Sequence, residues 1–140
     1  MFNPNVIVKN IVTQSGVENI VTFVARILMA YIFIIAGWGK LSAYGATAAY
    51  MESMGVPAAL LPVTILVEFG GGLALLFGFQ ARLAALGLGV FSIITAFIFH
   101  GTDDQMQQIN FMKNLVMAGG LFYLMLYSAG RLSLDHAIEK

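Results

Sequence analysis

Cysteine is absent from the 140 residues, and charged residues are scarce, at 10% of the chain. Without cysteine, the chain supplies no disulfides, no thiolate metal ligands and no ligands for an iron–sulfur cluster. A soluble globular domain carries roughly a quarter of its residues as charged side chains, because these cover its surface. The low charge content therefore argues against a soluble protein.

Apolar residues make up 59% of the sequence, and the mean hydropathy is +0.86. The formal net charge is zero, and no basic stripe is present, so nucleic acid is not an expected partner. The N-terminal apolar run over residues 6–12 is interrupted by Lys9 and has no small-residue cleavage pattern, so a secretory signal is not predicted. The expected surroundings of this chain are a lipid bilayer.

Four apolar stretches are long enough to cross a bilayer as helices, which takes about 20 residues each. They predict spans at about residues 17–41, 58–79, 82–100 and 109–128. Between and after them, a connector over 42–57 contains a short helix at 47–54, residues 101–108 form a polar loop, and residues 131–140 form a polar tail. The predicted fold is all-α: one domain over residues 1–140, built as a polytopic four-helix transmembrane bundle.

Lysine and arginine placement predicts the orientation, because cytoplasmic loops carry the excess of these residues. With the N-terminus inside, only Lys40 and Lys113 lie towards the outer side. The inner side then holds Lys9, Arg26, Arg82, Arg131 and Lys140. This distribution favours cytoplasmic N- and C-termini. Both Arg26 and Lys40 can snorkel towards opposite membrane surfaces, and for Arg26 we expect this.

Polar side chains within the spans gather in the predicted outer half. Glu68 lies about 12 Å along its helix from the outer end, where an ionised carboxylate needs a partner or a cavity. Lys113 and Asn114 share one face of the fourth span with Asn110, by i, i+3 and i+4 spacing. The candidate binding cluster comprises Trp38, Lys40, Glu68, His100, Lys113 and Asn114.

Two interpretations of this cluster stay open. In the first, Glu68 pairs with Lys113 or Lys40 in a pocket flanked by His100 and aromatic rings, and the pocket binds a polar head such as a quinone ring or relays a proton. In the second, the ion pair only fixes helix register, the lysines snorkel, His100 caps a helix end and Trp38 anchors the membrane interface. For Glu68 we favour a function or a specific buried partner.

Other chemistries find no support in the spacing of residues. His100 and His136 fall on opposite membrane sides, so they cannot both ligate one haem. No metal site is predicted, because no second histidine or carboxylate stands at metal-ligand spacing from His100. The glycine runs lie within apolar helices, where they indicate close helix contact and not a phosphate-binding loop. No catalytic residue is assigned.

Several of these stretches, taken in order, resemble the DoxX family of small bacterial and archaeal membrane proteins. The matching segments are Ala25-Arg26-Ile27, Ala36-Gly37-Trp38-Gly39-Lys40-Leu41, Tyr50-Met51, Gly55-Val56-Pro57, Glu68-Phe69-Gly70-Gly71-Gly72-Leu73, Gly78-Phe79 with Arg82, His100, Lys113-Asn114-Leu115, Gly119-Gly120 and Ser133-Leu134-Asp135. The resemblance covers roughly residues 24–135. It implies a four-helix protein of the bacterial inner membrane.

The family takes its name from a subunit linked to an archaeal thiosulfate:quinone oxidoreductase, and some relatives are associated with redox-stress systems. The resemblance therefore implies at most an oxidoreductase-associated subunit, and it brings no catalytic residues with it. The lack of cysteine counts against a thiol-dependent role.

The first functional hypothesis is a redox-associated membrane subunit that binds a quinone-like or other amphipathic molecule in the outer-half pocket. The alternatives are a non-enzymatic scaffold or accessory subunit acting through its glycine faces, and a small transporter or proton pathway. Quinone is the one cofactor considered. Other membrane or redox subunits, or further copies of this chain, are compatible partners.

Overall fold

A computed structural model describes residues 1–139, so Lys140 of the predicted inner cations lies outside the described range. Within that range every regular element is a helix. We number them α1 (Pro4–Val12), α2 (Ser15–Ser42), α3 (Tyr44–Ser53), α4 (Ala58–Phe77), α5 (Ala81–Phe99), α6 (Gln105–Tyr127) and α7 (Leu134–Ile138). Helices α2, α4, α5 and α6 are long and apolar enough to cross a membrane. The predicted all-α fold with four such helices is confirmed.

The observed helix bounds differ from the predicted ones mainly at the ends. Helix α6 begins at Gln105, four residues before the predicted start, because a polar first turn can be helical outside the apolar stretch. Helix α1 was not predicted. It forms because the Asn3 side chain accepts a hydrogen bond from the backbone N–H of Asn5, and Pro4 fits the first helical position.

Helix α4 changes its winding along its length. A 3₁₀ turn (Ala58–Leu60) leads into an α-helical turn (Leu61–Ile65), a π-helical turn (Leu66–Gly70) and a final α-helical segment (Gly71–Phe77). It ends at Gly78, whose φ of +66° is the left-handed conformation that glycine adopts readily. The π turn is the segment that carries Glu68, and such turns are frequent at functional sites.

Helix α2 packs closely against α4 at glycine residues, which have no side chain to hold the two backbones apart. A Cβ atom added to Gly37 would lie 2.7 Å from Cβ of Phe69 and 2.8 Å from its backbone nitrogen. Similarly, a Cβ on Gly72 would lie 3.0 Å from the backbone nitrogen of Ile34. Glycine therefore lets the two backbones approach to a distance that no other residue permits.

The core of the bundle is small, and large apolar side chains cover its outside. Buried residues from all four long helices form the core, namely Ala30, Phe33, Leu75, Ala81, Ala85, Leu88 and Leu121, with Ala129 beyond α6. By contrast, Leu28, Leu66 and Val116 are 69%, 71% and 75% exposed. An apolar exterior of this kind suits contact with lipid chains.

The C-terminal segment folds back over the bundle and covers Arg26, which is 1% exposed. The Arg26 guanidinium donates from Nη1 to the carbonyl oxygen of Ala129 at 2.6 Å and from Nη2 to that of Leu132 at 2.7 Å. The expectation that Arg26 snorkels to the membrane surface is therefore wrong. We call residues 128–138 the C-terminal clasp.

The other end of the clasp caps helix α5. The Asp135 carboxylate accepts hydrogen bonds from the backbone N–H of Gln80 at 2.6 Å and of Ala81 at 2.8 Å. The backbone N–H of Asp135 donates to the carbonyl of Gly78 at 2.8 Å. A carboxylate at this position satisfies the free N–H groups of the helix and complements the helix dipole. What appeared in the sequence as a polar tail is thus an ordered part of the bundle.

Candidate functional site

An ion pair lies within the predicted outer half of the bundle. Lys40 Nζ donates to Glu68 Oε2 at 2.7 Å. The Glu68 side chain is 9% exposed and that of Lys40 is 29% exposed, so the lysine reaches outward from a buried carboxylate. Lys40 stands in the last turn of α2, and the close crossing of Gly37 with Phe69 brings that turn beside Glu68. Of the two predicted lysine partners, the structure pairs Lys40 with Glu68.

Glu68 also lines a cavity of about 130 Å³ in the interior of the bundle. Its apolar walls come from α2, α5 and α6. Its polar groups come from Glu68 on one side and from Ser92, Thr95 and Asn114 on the other. The full lining is Ile32, Phe33, Ala36, Glu68, Phe91, Ser92, Thr95, Asn114 and Met117. The arrangement of apolar walls with a few converging polar groups is typical of small-molecule sites.

Asn114 links helices α5 and α6 at the wall that it shares with Ser92 and Thr95. Its Nδ2 donates to the backbone carbonyl of Ser92 at 3.2 Å and to Thr95 Oγ1 at 3.1 Å. Ser92 itself is 1% exposed. The sequence prediction included Asn114 but missed the two hydroxyl residues. The available signal was their i, i+3 spacing, which places both on one face of an otherwise apolar helix.

The other three predicted residues lie outside this cavity. His100 Nδ1 hydrogen-bonds to the Gln107 side-chain oxygen, and His100 lines a separate groove of about 460 Å³ with Phe97 and Phe111. Lys113 is exposed and forms no ion pair with any residue in 1–139. Trp38 is 57% exposed, with its ring centroid 6.1 Å from that of Phe69. The predicted cluster is thus divided: Lys40, Glu68 and Asn114 surround or line one site, and the rest lie apart.

A larger cavity, of about 550 Å³, lies at the opposite end of the bundle beside the C-terminal clasp. Its lining carries both signs of charge, including Glu18, Arg82 and Asp135. Two of these already serve the fold: Asp135 caps α5, and Arg82 Nη1 donates to the carbonyls of Met125 and Leu126. We therefore assign this cavity to the packing of the clasp. We take the smaller cavity at Glu68 as the candidate site, because its lining includes an ionisable side chain within a membrane-spanning helix.

Comparison with known proteins agrees with this architecture. The DoxX family model matches residues 21–101, which include Lys40, Glu68, Ser92 and Thr95. The chain is 48% identical to the inner membrane protein YqjF of Escherichia coli K12 over 124 residues, covering 88% of this chain and 95% of that protein. It is 32% identical to the inner membrane protein YphA of the same organism over 124 residues, covering 83% of this chain and 89% of that protein. No solved structure matches the chain. The family model thus covers more than half of the chain, and the match to YqjF spans nearly the whole of that protein. This chain is therefore a membrane protein of the DoxX family.

Proposed function

We propose that this protein acts in the bacterial inner membrane as a redox-associated subunit that binds the head ring of a quinone-like amphipathic molecule in the Glu68 cavity. The observation that carries the proposal is Glu68 itself. Its carboxylate is held on one side by Lys40 and lines, on the other, an interior cavity with Asn114. An ionisable group inside a membrane helix marks a functional site by default, because lipid makes its charge costly.

The cavity volume suits one ring. An engineered apolar cavity of roughly 150 Å³ binds benzene, and the Glu68 cavity measures about 130 Å³. A typical pocket for a whole drug-sized ligand is larger, roughly 300–1,000 Å³. The cavity therefore suits the head of an amphipathic molecule, with its apolar chain remaining outside.

The apolar chain of the ligand would leave the cavity on its α2 side. Ile32 lines the cavity and is also 47% exposed on the outside of the bundle. The Ile32 side chain thus belongs both to the cavity wall and to the outer surface of the bundle. An apolar chain leaving past Ile32 would lie among lipid chains, where it needs no further protein contact.

Extraction of bound molecules tests the proposal. Protein purified in mild detergent should carry quinone that is detected by mass spectrometry of a solvent extract. Ala36→Leu, which fills part of the cavity, should lose most of it, whereas Lys113→Ala should retain it, because Lys113 lies outside the cavity. The proposal is wrong if the native protein contains no quinone and also binds none of the quinone added to it.

A second candidate, the scaffold, is favoured by the exposed glycines. Gly39, Gly87 and Gly119 lie in the long helices, and a Cβ at each would meet no atom within 4 Å. Flat positions of this kind let a second helix approach closely in a membrane. If Gly87→Leu and Gly119→Leu release a co-purifying membrane protein, and Glu68→Gln does not, the scaffold is the better account.

A further inference from the structure

We infer that the Glu68 cavity selects ligand heads that donate hydrogen bonds, and so holds the hydroxyl (reduced) form of a quinone-like ring in preference to the carbonyl (oxidised) form. The inference rests on the proposed function and adds to it which form of the ligand is bound. It follows from an inventory of donors and acceptors around the cavity.

The hydroxyl hydrogens at the cavity are already committed to helix carbonyls. Ser92 Oγ donates to the carbonyl of Leu88 at 2.8 Å. Thr95 Oγ1 donates to the carbonyl of Phe91 at 2.9 Å, with the carbonyl of Ser92 at 3.2 Å as a second acceptor. A hydroxyl has one hydrogen to donate and two lone pairs to accept with. Both groups therefore face a ligand as acceptors only.

The amide hydrogens of Asn114 are committed as well. Nδ2 carries two hydrogens and has two acceptors in reach, the carbonyl of Ser92 and Oγ1 of Thr95. A backbone carbonyl cannot donate, so the amide nitrogen and not the amide oxygen must face Ser92. The amide oxygen of Asn114 receives no hydrogen bond from residues 1–139.

Glu68 adds a second unsatisfied acceptor. Its Oε2 is bound by Lys40, and its Oε1 receives no hydrogen bond from the described residues. Among these residues, one side-chain nitrogen or oxygen is fully buried and has no hydrogen-bond partner, and this atom is Arg26 Nε. Neither Glu68 Oε1 nor the Asn114 amide oxygen is such an atom. The free oxygens of Glu68 and Asn114 are therefore not fully buried, and both residues line the cavity. Lys40, the nearest cationic donor, does not line the cavity.

The cavity thus offers acceptors to a ligand and withholds donors, since helix N–H groups are used within the helices. A quinone carbonyl placed there would face lone pairs and gain no hydrogen bond. A hydroxyl in the same place would donate to a carboxylate, and hydrogen bonds to charged groups are the stronger kind. The difference favours the reduced ring.

Three ligands with one ring separate hydrogen-bond donation from shape. An alkyl hydroquinone, the matching alkyl quinone and the dimethyl ether of the hydroquinone are titrated, without oxygen, into the full-length protein in lipid nanodiscs. We expect the hydroquinone to bind about tenfold more tightly than the quinone or more, as one hydrogen bond to a charged group provides. The ether should bind as weakly as the quinone, because it keeps the ring and lacks the donors.

Glu68→Gln supplies an amide donor in place of the carboxylate, so the preference for hydroquinone should shrink towards onefold. Lys113→Ala is the control, because it also removes one charge but lies outside the cavity. It should keep the native preference for hydroquinone. Equal binding of hydroquinone and ether, or tighter binding of quinone, would overturn the inference and leave the proposed function standing. If none of the three ligands binds, both fail. The three-ligand comparison on native protein decides the matter even if Glu68→Gln does not fold.

Discussion

At the scale of single residues, Glu68 and Lys40 differ in solvent exposure, and this difference determines how each responds to the loss of its partner. Glu68 is 9% exposed and Lys40 is 29% exposed. A lysine left alone can move its ammonium group along its flexible stem to the membrane surface. A carboxylate on a short stem in the middle of α4 has no such route. Lys40 is therefore more important to Glu68 than Glu68 is to Lys40.

This asymmetry predicts an order of stabilities. Lys40→Met should lower the free energy of unfolding by about 1–3 kcal/mol, because it leaves a buried carboxylate without its hydrogen-bond donor. Glu68→Gln should cost less. The double variant should be more stable than the sum of the two losses implies, and a double-mutant cycle in detergent measures the difference. Strict additivity would show that the two side chains do not interact.

The residues of the site were predictable to different degrees, for physical reasons. Glu68, Lys40 and Asn114 stand out because each is polar in an apolar span. Choosing between Lys40 and Lys113 needs the helix crossing, which the spacing of residues does not specify. Ser92 and Thr95 escaped notice because a hydroxyl bonded to its own helix is common in apolar helices and carries no charge.

At the scale of elements, the crossing of α2 and α4 positions the ion pair. Gly37 lies against the backbone of Phe69, the residue that follows Glu68. Two residues away on the same helix, a Cβ atom added to Gly39 would meet no atom within 4 Å. The two glycines therefore differ in role although their local sequence context is similar.

Alanine at the two positions separates these roles. Gly37→Ala should push α2 and α4 apart and lower stability by about 1–3 kcal/mol, as overpacking does. Gly39→Ala should change it by less than about 0.5 kcal/mol, since an exposed methyl group displaces nothing. Thermal unfolding in detergent compares the two. A similar loss at both positions would argue against the close crossing.

The C-terminal clasp is a second element that depends on one side chain. Arg26 binds the carbonyls of Ala129 and Leu132, and a methionine there would leave both without a donor. Arg26→Met should therefore make the C-terminal segment sensitive to limited proteolysis. Arg131→Met, an exposed arginine in the clasp itself, serves as the control and should stay resistant. Equal resistance of both variants would contradict the clasp.

At the scale of the whole molecule, an even number of membrane-spanning helices places the N-terminus and the C-terminus on the same side of the membrane. The contacts of Arg26 near the start of α2 with the segment after α6 agree with this arrangement. The number of long helices was predictable because a chain segment in lipid must satisfy its backbone hydrogen bonds internally, which a helix does. Each apolar stretch of about 20 residues therefore predicts one membrane-spanning helix. Helix α1 and the clasp were not predictable, since both lie outside the apolar stretches and depend on caps and on one buried arginine.

The side on which the ends lie stays a prediction from lysine and arginine placement. We expect both termini to be cytoplasmic. A fluorescent protein fused to the C-terminus should fluoresce in cells, whereas alkaline phosphatase fused there should be inactive, because each reporter works on one side of the membrane only. An active phosphatase fusion would reverse the assignment and place the Lys40–Glu68 pair in the inner half.

The central claim is that the cavity beside Glu68 holds a ligand, and filling the cavity tests it most directly. Ala36 lines the cavity, whereas Ala25 lies on the exposed face of the same helix. In mass spectrometry of gently purified protein, we expect the native chain and Ala25→Leu to carry the same ring-bearing molecule and Ala36→Leu to have lost it. A folded Ala36→Leu protein that retains as much ligand as the native chain would contradict the account.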